Sequence, residues 1–301
     1  MANARWTSAT FDMLIFALFG KLIARRFVIF GGAPAALARG EMLRGEGIVP
    51  TYNRIDEHVK DKDQIKEVLS SYMEIGEGID SLHRGNIAIK PSALGMEFGS
   101  FVFAQNLRSL IEVFEGKRLE IEVDAESRET LCRVQMVLNS LKRKLPPGIV
   151  FRPAFQMHIP LELRRVLVET YRIMDMPVRI VKGSGLYDEG APELSQDAIV
   201  ANYFETFREQ VARGKRPNVA TVRDGELLLA LTEATRDLDI SADNFVIQFL
   251  DGPFGRKLIR EYVEKGYRVS SYVTFVDPSA PDAWKGYVKR RIAFGRKLVF
   301  G

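Results

Sequence analysis

From Gly47 onward, short β-prone runs alternate with longer amphipathic stretches, and this alternation constrains the fold more than any other feature of the chain. The β-prone runs cover 48–51, 86–90, 118–124, 148–152, 177–182, 217–222, 244–250 and 267–275. Between them, apolar residues recur at helical spacing, as in Ile65, Val68, Leu69, Tyr72 and Met73, or Leu227, Leu228, Leu231 and Ala234. Breakers such as Gly85, Gly116, Pro146, Pro147, Gly214 and Gly266 stand ahead of strands. This is the pattern of strand, crossover helix and parallel strand. Eight such units predict an α/β fold of the (β/α)8 barrel type, and 301 residues suit one barrel domain. An open doubly wound sheet would need a glycine-rich phosphate turn after its first strand. Here Tyr52, Asn53, Arg54, Ile55, Asp56 and Glu57 follow instead. The expected division is a helical N-terminal arm over 1–46 and a barrel over 47–301, which leaves no room for a second catalytic domain.

Charge and special residues narrow the function classes. Lys plus Arg exceed Asp plus Glu by four, and the basic clusters Lys142, Arg143, Lys144 and Arg290, Arg291 are short. A nucleic-acid partner is therefore not expected. A lone cysteine, Cys132, excludes an intramolecular disulfide, and His58, His83 and His158 lack ligand spacing, so no metal site is expected. A reducing, cytoplasmic setting follows. The apolar segment 11–30 is interrupted by Asp12, Lys21, Arg25 and Arg26, too often for a spanning helix. A helix packed on the domain is expected there, with peripheral membrane contact at most.

The run Leu119, Glu120, Ile121, Glu122, Val123, Asp124 alternates strictly, placing Leu119, Ile121 and Val123 on one face and the acids on the other. In a barrel the apolar face meets the helices, so the acids point into the lumen. Polar residues also gather where strands end: Glu57, Lys90, Asp124, Arg152, Lys182 and Thr221, with Gln248 and Tyr272 inside the last two strands. In barrels of this class that C-terminal rim carries the catalytic groups. Taken singly, Glu57, Arg152 and Thr221 equally fit ordinary strand ends at a surface. Lys90 and Lys182 lead directly into small-residue turns, and Gly183, Ser184 and Gly185 offer backbone N–H groups to a phosphate. Arg290 and Arg291 suit either a carboxylate fork or a solvated helix face.

The residues Val178, Arg179, Ile180, Val181, Lys182, Gly183 are similar to the Arg-Leu-Val-Lys-Gly-Ala-Tyr element of the proline dehydrogenase family. Ile89, Lys90 with Ala93, Leu94, Gly95 resembles its second-strand lysine motif, and Val123, Asp124, Ala125, Glu126 its third-strand acid motif. Ala220, Thr221 resembles an Ala-Thr-His segment, and Ile247, Gln248, Phe249, Leu250 a seventh-strand glutamine motif. Gly266, Tyr267, Arg268, Val269 with Tyr272, Val273 resembles the eighth-strand motif, and Arg290, Arg291 the closing arginine pair. The matches come in order from about Glu57 to Arg291.

The resemblance implies a flavoprotein that oxidises L-proline, or a related secondary amino acid, to pyrroline-5-carboxylate. Its last helix would lie over the barrel mouth. Asp124 and Arg179 would be the catalytic pair, while Lys90, Tyr272, Arg290 and Arg291 would bind the substrate. FAD would be held by Arg152, Arg179, Lys182, Gly183, Ser184, Thr221 and Gln248, and a quinone would accept the electrons. The chain departs from the family at the site. A glutamate near the substrate amine is replaced by Phe294, a histidine by Val222, a flavin-facing glutamine by Arg152, and a seventh-loop aromatic or histidine by Asp251. Ser270 stands for an arginine, and the Gly-Ala-Tyr turn reads Gly183, Ser184, Gly185. The alternatives are a flavin enzyme with a shifted substrate and a non-catalytic barrel that binds a small anion.

Overall fold

Eight parallel strands close on themselves in the computed structural model, which describes residues 16, 19–22, 24–56, 59–79, 84–183, 194–220, 225–253 and 255–289. A short strand β1 (Ile29–Phe30) comes first, followed by the barrel strands β2 (Val49–Arg54), β3 (Arg84–Ile89), β4 (Arg118–Val123), β5 (Ile149–Gln156), β6 (Arg179–Val181), β7 (Asn218–Val219), β8 (Val246–Leu250) and β9 (Val269–Val276). Each pairs in parallel with the next, and β9 returns to β2 with Thr51 beside Tyr272 and Asn53 beside Thr274, closing the barrel. The predicted (β/α)8 architecture is the one observed, and every barrel strand falls on one of the eight β-prone runs.

Helices between the strands follow from their apolar spacing and their caps. They are α1 (Gly32–Gly45), α2 (Lys62–Gly78), α3 (Ser100–Val113), α4 (Arg128–Leu141), the short α5 (Leu161–Arg165), α6 (Gln196–Ala212), α7 (Gly225–Asp237) and α8 (Arg256–Glu264). In α2, Ile65, Val68, Tyr72 and Ile75 form the buried stripe, and the Asp61 carboxylate caps the first turn by accepting from the N–H groups of Asp63 and Gln64. Ser127 and Thr130 cap α4 reciprocally. Strand outer faces (Leu119, Ile121, Val123 and their counterparts) and helix inner faces make one continuous core around the barrel.

Two features were not visible in the sequence. Helix α1, expected as part of an N-terminal helical arm, packs on β9, β2 and α2 and so fills the outer seat between the last and first strands. Gly40 lets it lie close, because a Cβ there would collide with the Tyr52 hydroxyl. With that seat taken, the helical residues 284–289 lie elsewhere: Trp284 and Val288 join Ala24, Val28, Ile55 and Val276 in a second apolar cluster at the C-terminal ends of β2 and β9. Phe16 and Phe30 pack on Trp284. The cluster thus covers part of the barrel mouth, the position expected of the last helix. Among the described residues no helix is long and apolar enough to cross a membrane.

Candidate active site at the barrel mouth

Alternation along β4 sends Glu120 and Glu122 into the lumen and sets Asp124 at the rim, and the neighbouring strands supply their partners. At the floor, Arg152 gives Nε (2.9 Å) and a second guanidinium nitrogen (2.8 Å) to one Glu120 oxygen. Its remaining nitrogen donates to the carbonyl oxygens of Arg216 and Val178. This corrects the sequence reading of β5. The strand does not stop at Arg152 but runs on through Pro153 to Gln156, so Arg152 is sealed below the rim, 1% exposed. Gln156 is the β5 residue that reaches the mouth, where its amide donates to the Ala125 carbonyl at 3.4 Å.

A middle layer centres on Glu122, which is wholly buried. One carboxylate oxygen accepts from Asn218 and from Gln248, each at 2.7 Å. The other lies 3.4 Å from Arg179 Nε. Burial pushes the Glu122 carboxyl up to about 7, against the pull of Arg179 and Arg152. Gln248 also donates to Thr51, whose hydroxyl is paired with that of Ser270, and Asn86 donates to Thr51.

Above this layer stands the group that the sequence singled out. Arg179, on β6, donates from Nε to Gln248 at 2.5 Å and from a terminal nitrogen to Asp124 at 3.1 Å. Its guanidinium carbon lies 4.8 Å from the centre of the Tyr272 ring, and the Tyr272 hydroxyl donates to the other Asp124 oxygen at 2.9 Å. Burial works to lower the Arg179 pKa, but Asp124, Tyr272 and Glu122 outweigh it and raise it. Burial, reinforced by Asp124, also raises the Tyr272 phenol well above its usual value, so it stays protonated and donates. Four strands thus converge through Asp124, Arg179, Gln248 and Tyr272.

Lys90 is also at this end, 8% exposed, with Nζ 3.3 Å from the carbonyl oxygen of Ile55. Ile55 belongs to the apolar cluster with Trp284 and Val288, which brings Lys90 toward the helical residues 284–289. Arg290, Arg291, Ser184, Thr221, Glu57, Val222 and Phe294 lie outside the described residues. Lys182 and Gly183 follow β6 at the rim, both partly buried. Gly183 has φ 80°, and a Cβ there would overlap the His158 ring, so only glycine fits this turn.

Some rim residues were named by sequence reading but given no role. Glu126 accepts from the Ser92 N–H (2.7 Å) and hydroxyl (2.6 Å), and burial raises its carboxyl above the usual value. Asp251, noted only as a departure, is gripped by Arg39 of α1 through two 2.8 Å hydrogen bonds. Nothing local in the sequence links positions 39 and 251. Among the described residues, no cluster of His, Cys, Asp and Glu is suited to a metal ion.

No family model matches the chain, and no curated protein matches it. Solved structures do. Proline utilization A (PutA) from Bdellovibrio bacteriovorus, inactivated by N-propargylglycine, superposes with a TM-score of 0.74 at 18% identity, over 94% of this chain and 34% of that one. PutA from Corynebacterium freiburgense gives 0.70 at 14% identity, over 97% and 34%. A mutant PutA from Bradyrhizobium japonicum gives 0.68 at 18%, over 97% and 34%. The chain spans about a third of the length of these proteins, and the likeness at such identities is one of barrel fold.

Proposed function

We propose that this chain is an FAD-dependent dehydrogenase of L-proline or a closely related secondary amino acid. The observation that carries the reading is the convergence of Asp124, Arg179, Gln248 and Tyr272 at the C-terminal mouth of a PutA-like barrel. These are the positions that the proline dehydrogenase resemblance marks. Oxidation removes a hydride from a ring C–H and a proton from the adjacent amine, leaving a C=N bond.

The residues fit a flavin. A guanidinium held positive at the rim suits the negative charge of a reduced isoalloxazine. The Gly183 turn after β6, closed on one side by the His158 ring, brings backbone to the rim beside Lys182. Arg179, Lys182, Gly183 and Gln248 would hold the cofactor, with Ser184 and Thr221 added by resemblance. FAD, when bound, supplies the hydride acceptor.

The protein's own groups orient the reaction. Both Asp124 oxygens are engaged, one by Arg179 and one by Tyr272, so Asp124 fixes these two side chains in place. Tyr272 offers its ring as a wall for the substrate. Lys90 carries a charge suited to the substrate carboxylate, joined by Arg290 and Arg291 through the resemblance. Holding the ring against the acceptor supplies the proximity on which the rate depends. A quinone is the electron acceptor carried over with the family.

The purified protein tests this directly. A flavin absorption spectrum that bleaches when L-proline is added without oxygen is the expected result. A colourless protein that cannot be loaded with FAD would overturn the reading in favour of an anion-binding barrel. A yellow protein bleached only by another amino acid would mark a shifted substrate.

A further inference from the structure

One layer of the lumen is not used by the network described above. Thr51 and Ser270 point into the lumen, since they bond each other there. Alternation therefore sends Asn53 and Thr274, two residues further along β2 and β9, to the same side. The register puts these two beside one another. They are 2% and 1% exposed, and neither Asn53 Oδ1 nor Thr274 Oγ1 has a hydrogen-bond partner. Buried polar atoms in folded proteins nearly always find partners, and an unmade bond is costly.

The surroundings define what would complete them. Asn86 reaches Thr51, so Ala88 of β3 and Lys90, just past its end, share the lumen face, with Ala88 beside Asn53 in register. Lys90 Nζ touches the Ile55 carbonyl. Ile55 and Val276, each two residues beyond this pair, belong to the apolar cluster with Trp284 and Val288 that forms the roof. The layer therefore combines one ammonium, two unpartnered oxygens and an apolar cover, above the Thr51–Ser270–Gln248 floor.

We infer that Asn53 Oδ1 and Thr274 Oγ1 accept the two N–H groups of the substrate's ammonium, while Lys90 takes its carboxylate. This deepens the proposed function and rests on it. Neutral oxygens here would do what the family assigns to a glutamate, whose place in this chain is Phe294. The ligand class is a zwitterionic secondary amino acid. Its ring-ether counterpart, which keeps the carboxylate and lacks N–H, would gain nothing from either oxygen.

The test is calorimetric titration of dithionite-reduced protein, which prevents turnover, with L-proline and with L-tetrahydrofuran-2-carboxylate. Thr274→Val and Asn53→Leu should each weaken L-proline binding by about tenfold, the scale of one lost hydrogen bond to a charged group. Affinity for the ether should stay within about twofold, because its contact with Lys90 is untouched. The ligand-free Thr274→Val protein should unfold at or above the wild-type temperature, since a buried unpaired hydroxyl has been removed. Thr274→Ser should restore L-proline binding. If wild type binds both ligands and neither variant changes their ratio, the two oxygens are structural and the inference is overturned, with the proposed function intact. If wild type binds neither, the proposed function falls and takes the inference with it.

Discussion

Two arginine–carboxylate pairs sit one above the other in the same lumen, built from the same strand of acids. At the floor, Arg152 meets Glu120 with side chains 2% and 6% exposed, and two backbone carbonyls accept from the same guanidinium. At the mouth, Arg179 is divided among Asp124, Glu122, Gln248 and the Tyr272 ring, and its side chain is 15% exposed. The chemistry is the same and the situations differ. A closed pair whose guanidinium is shared between a buried carboxylate and two carbonyls holds strands together. A cation shared among several partners at an opening can respond to a ligand. Similar residues at different depths of one lumen therefore separate into scaffold and site by what shares their hydrogen bonds and by how far they are sealed from the mouth.

Removing each arginine should break this comparison most sharply. Arg152→Met strands Glu120 in the floor without a cation, a change expected to cost roughly 3–5 kcal/mol in urea unfolding. Arg179→Met should cost less, about 1–3 kcal/mol, because Glu122 can take up a proton and Asp124 keeps some access to water. Flavin content should show the opposite order, lost from Arg179→Met and kept in the folded fraction of Arg152→Met. Equal stability losses, with flavin lost from both, would erase the distinction.

Glu122 sharpens it further through pH. Its folded-state value of about 7 lies above the usual 4.5, so the folded protein holds this proton more tightly than the unfolded chain. That contribution is complete below about pH 4.5 and is lost as the pH rises through 7, on the order of 3 kcal/mol in all. Denaturation midpoints at pH 5 and pH 8 should reveal the slope, and Glu122→Gln should flatten it. A slope that persists in the variant would place the proton elsewhere.

The smallest effect belongs to Tyr272→Phe. It keeps the ring beside Arg179 and removes only the hydrogen bond to Asp124, for about 1.5 kcal/mol, the low end for a bond to a charged group that keeps its other partner. A loss much larger than this would mean that the hydroxyl holds Asp124 and Arg179 together as one unit.

Much of this arrangement was legible in the chain. The eight β-prone runs became the eight barrel strands, and strict alternation through Glu120, Glu122 and Asp124 foretold an acidic lumen. The motif residues Asp124, Arg179, Gln248 and Tyr272 do meet. Arg152 was misplaced because the β-prone run was ended at 152, whereas β5 continues through Pro153, pairing with β4 at Pro153 and with β6 at Ala154. Helix α1 was assigned to an arm because no local pattern says which outer seat a helix will fill. The Arg39–Asp251 and Asn53–Thr274 relations span more than two hundred positions and leave no local trace.

The sequence by itself determined periodicity: which segments are strands, which faces are apolar, and which polar residues turn inward. Those properties follow from backbone geometry within a few residues. Only the tertiary structure decided which inward residue is satisfied and which is left reaching for a partner. Burial and hydrogen bonding depend on strands brought together by barrel closure, and closure is a property of the whole chain.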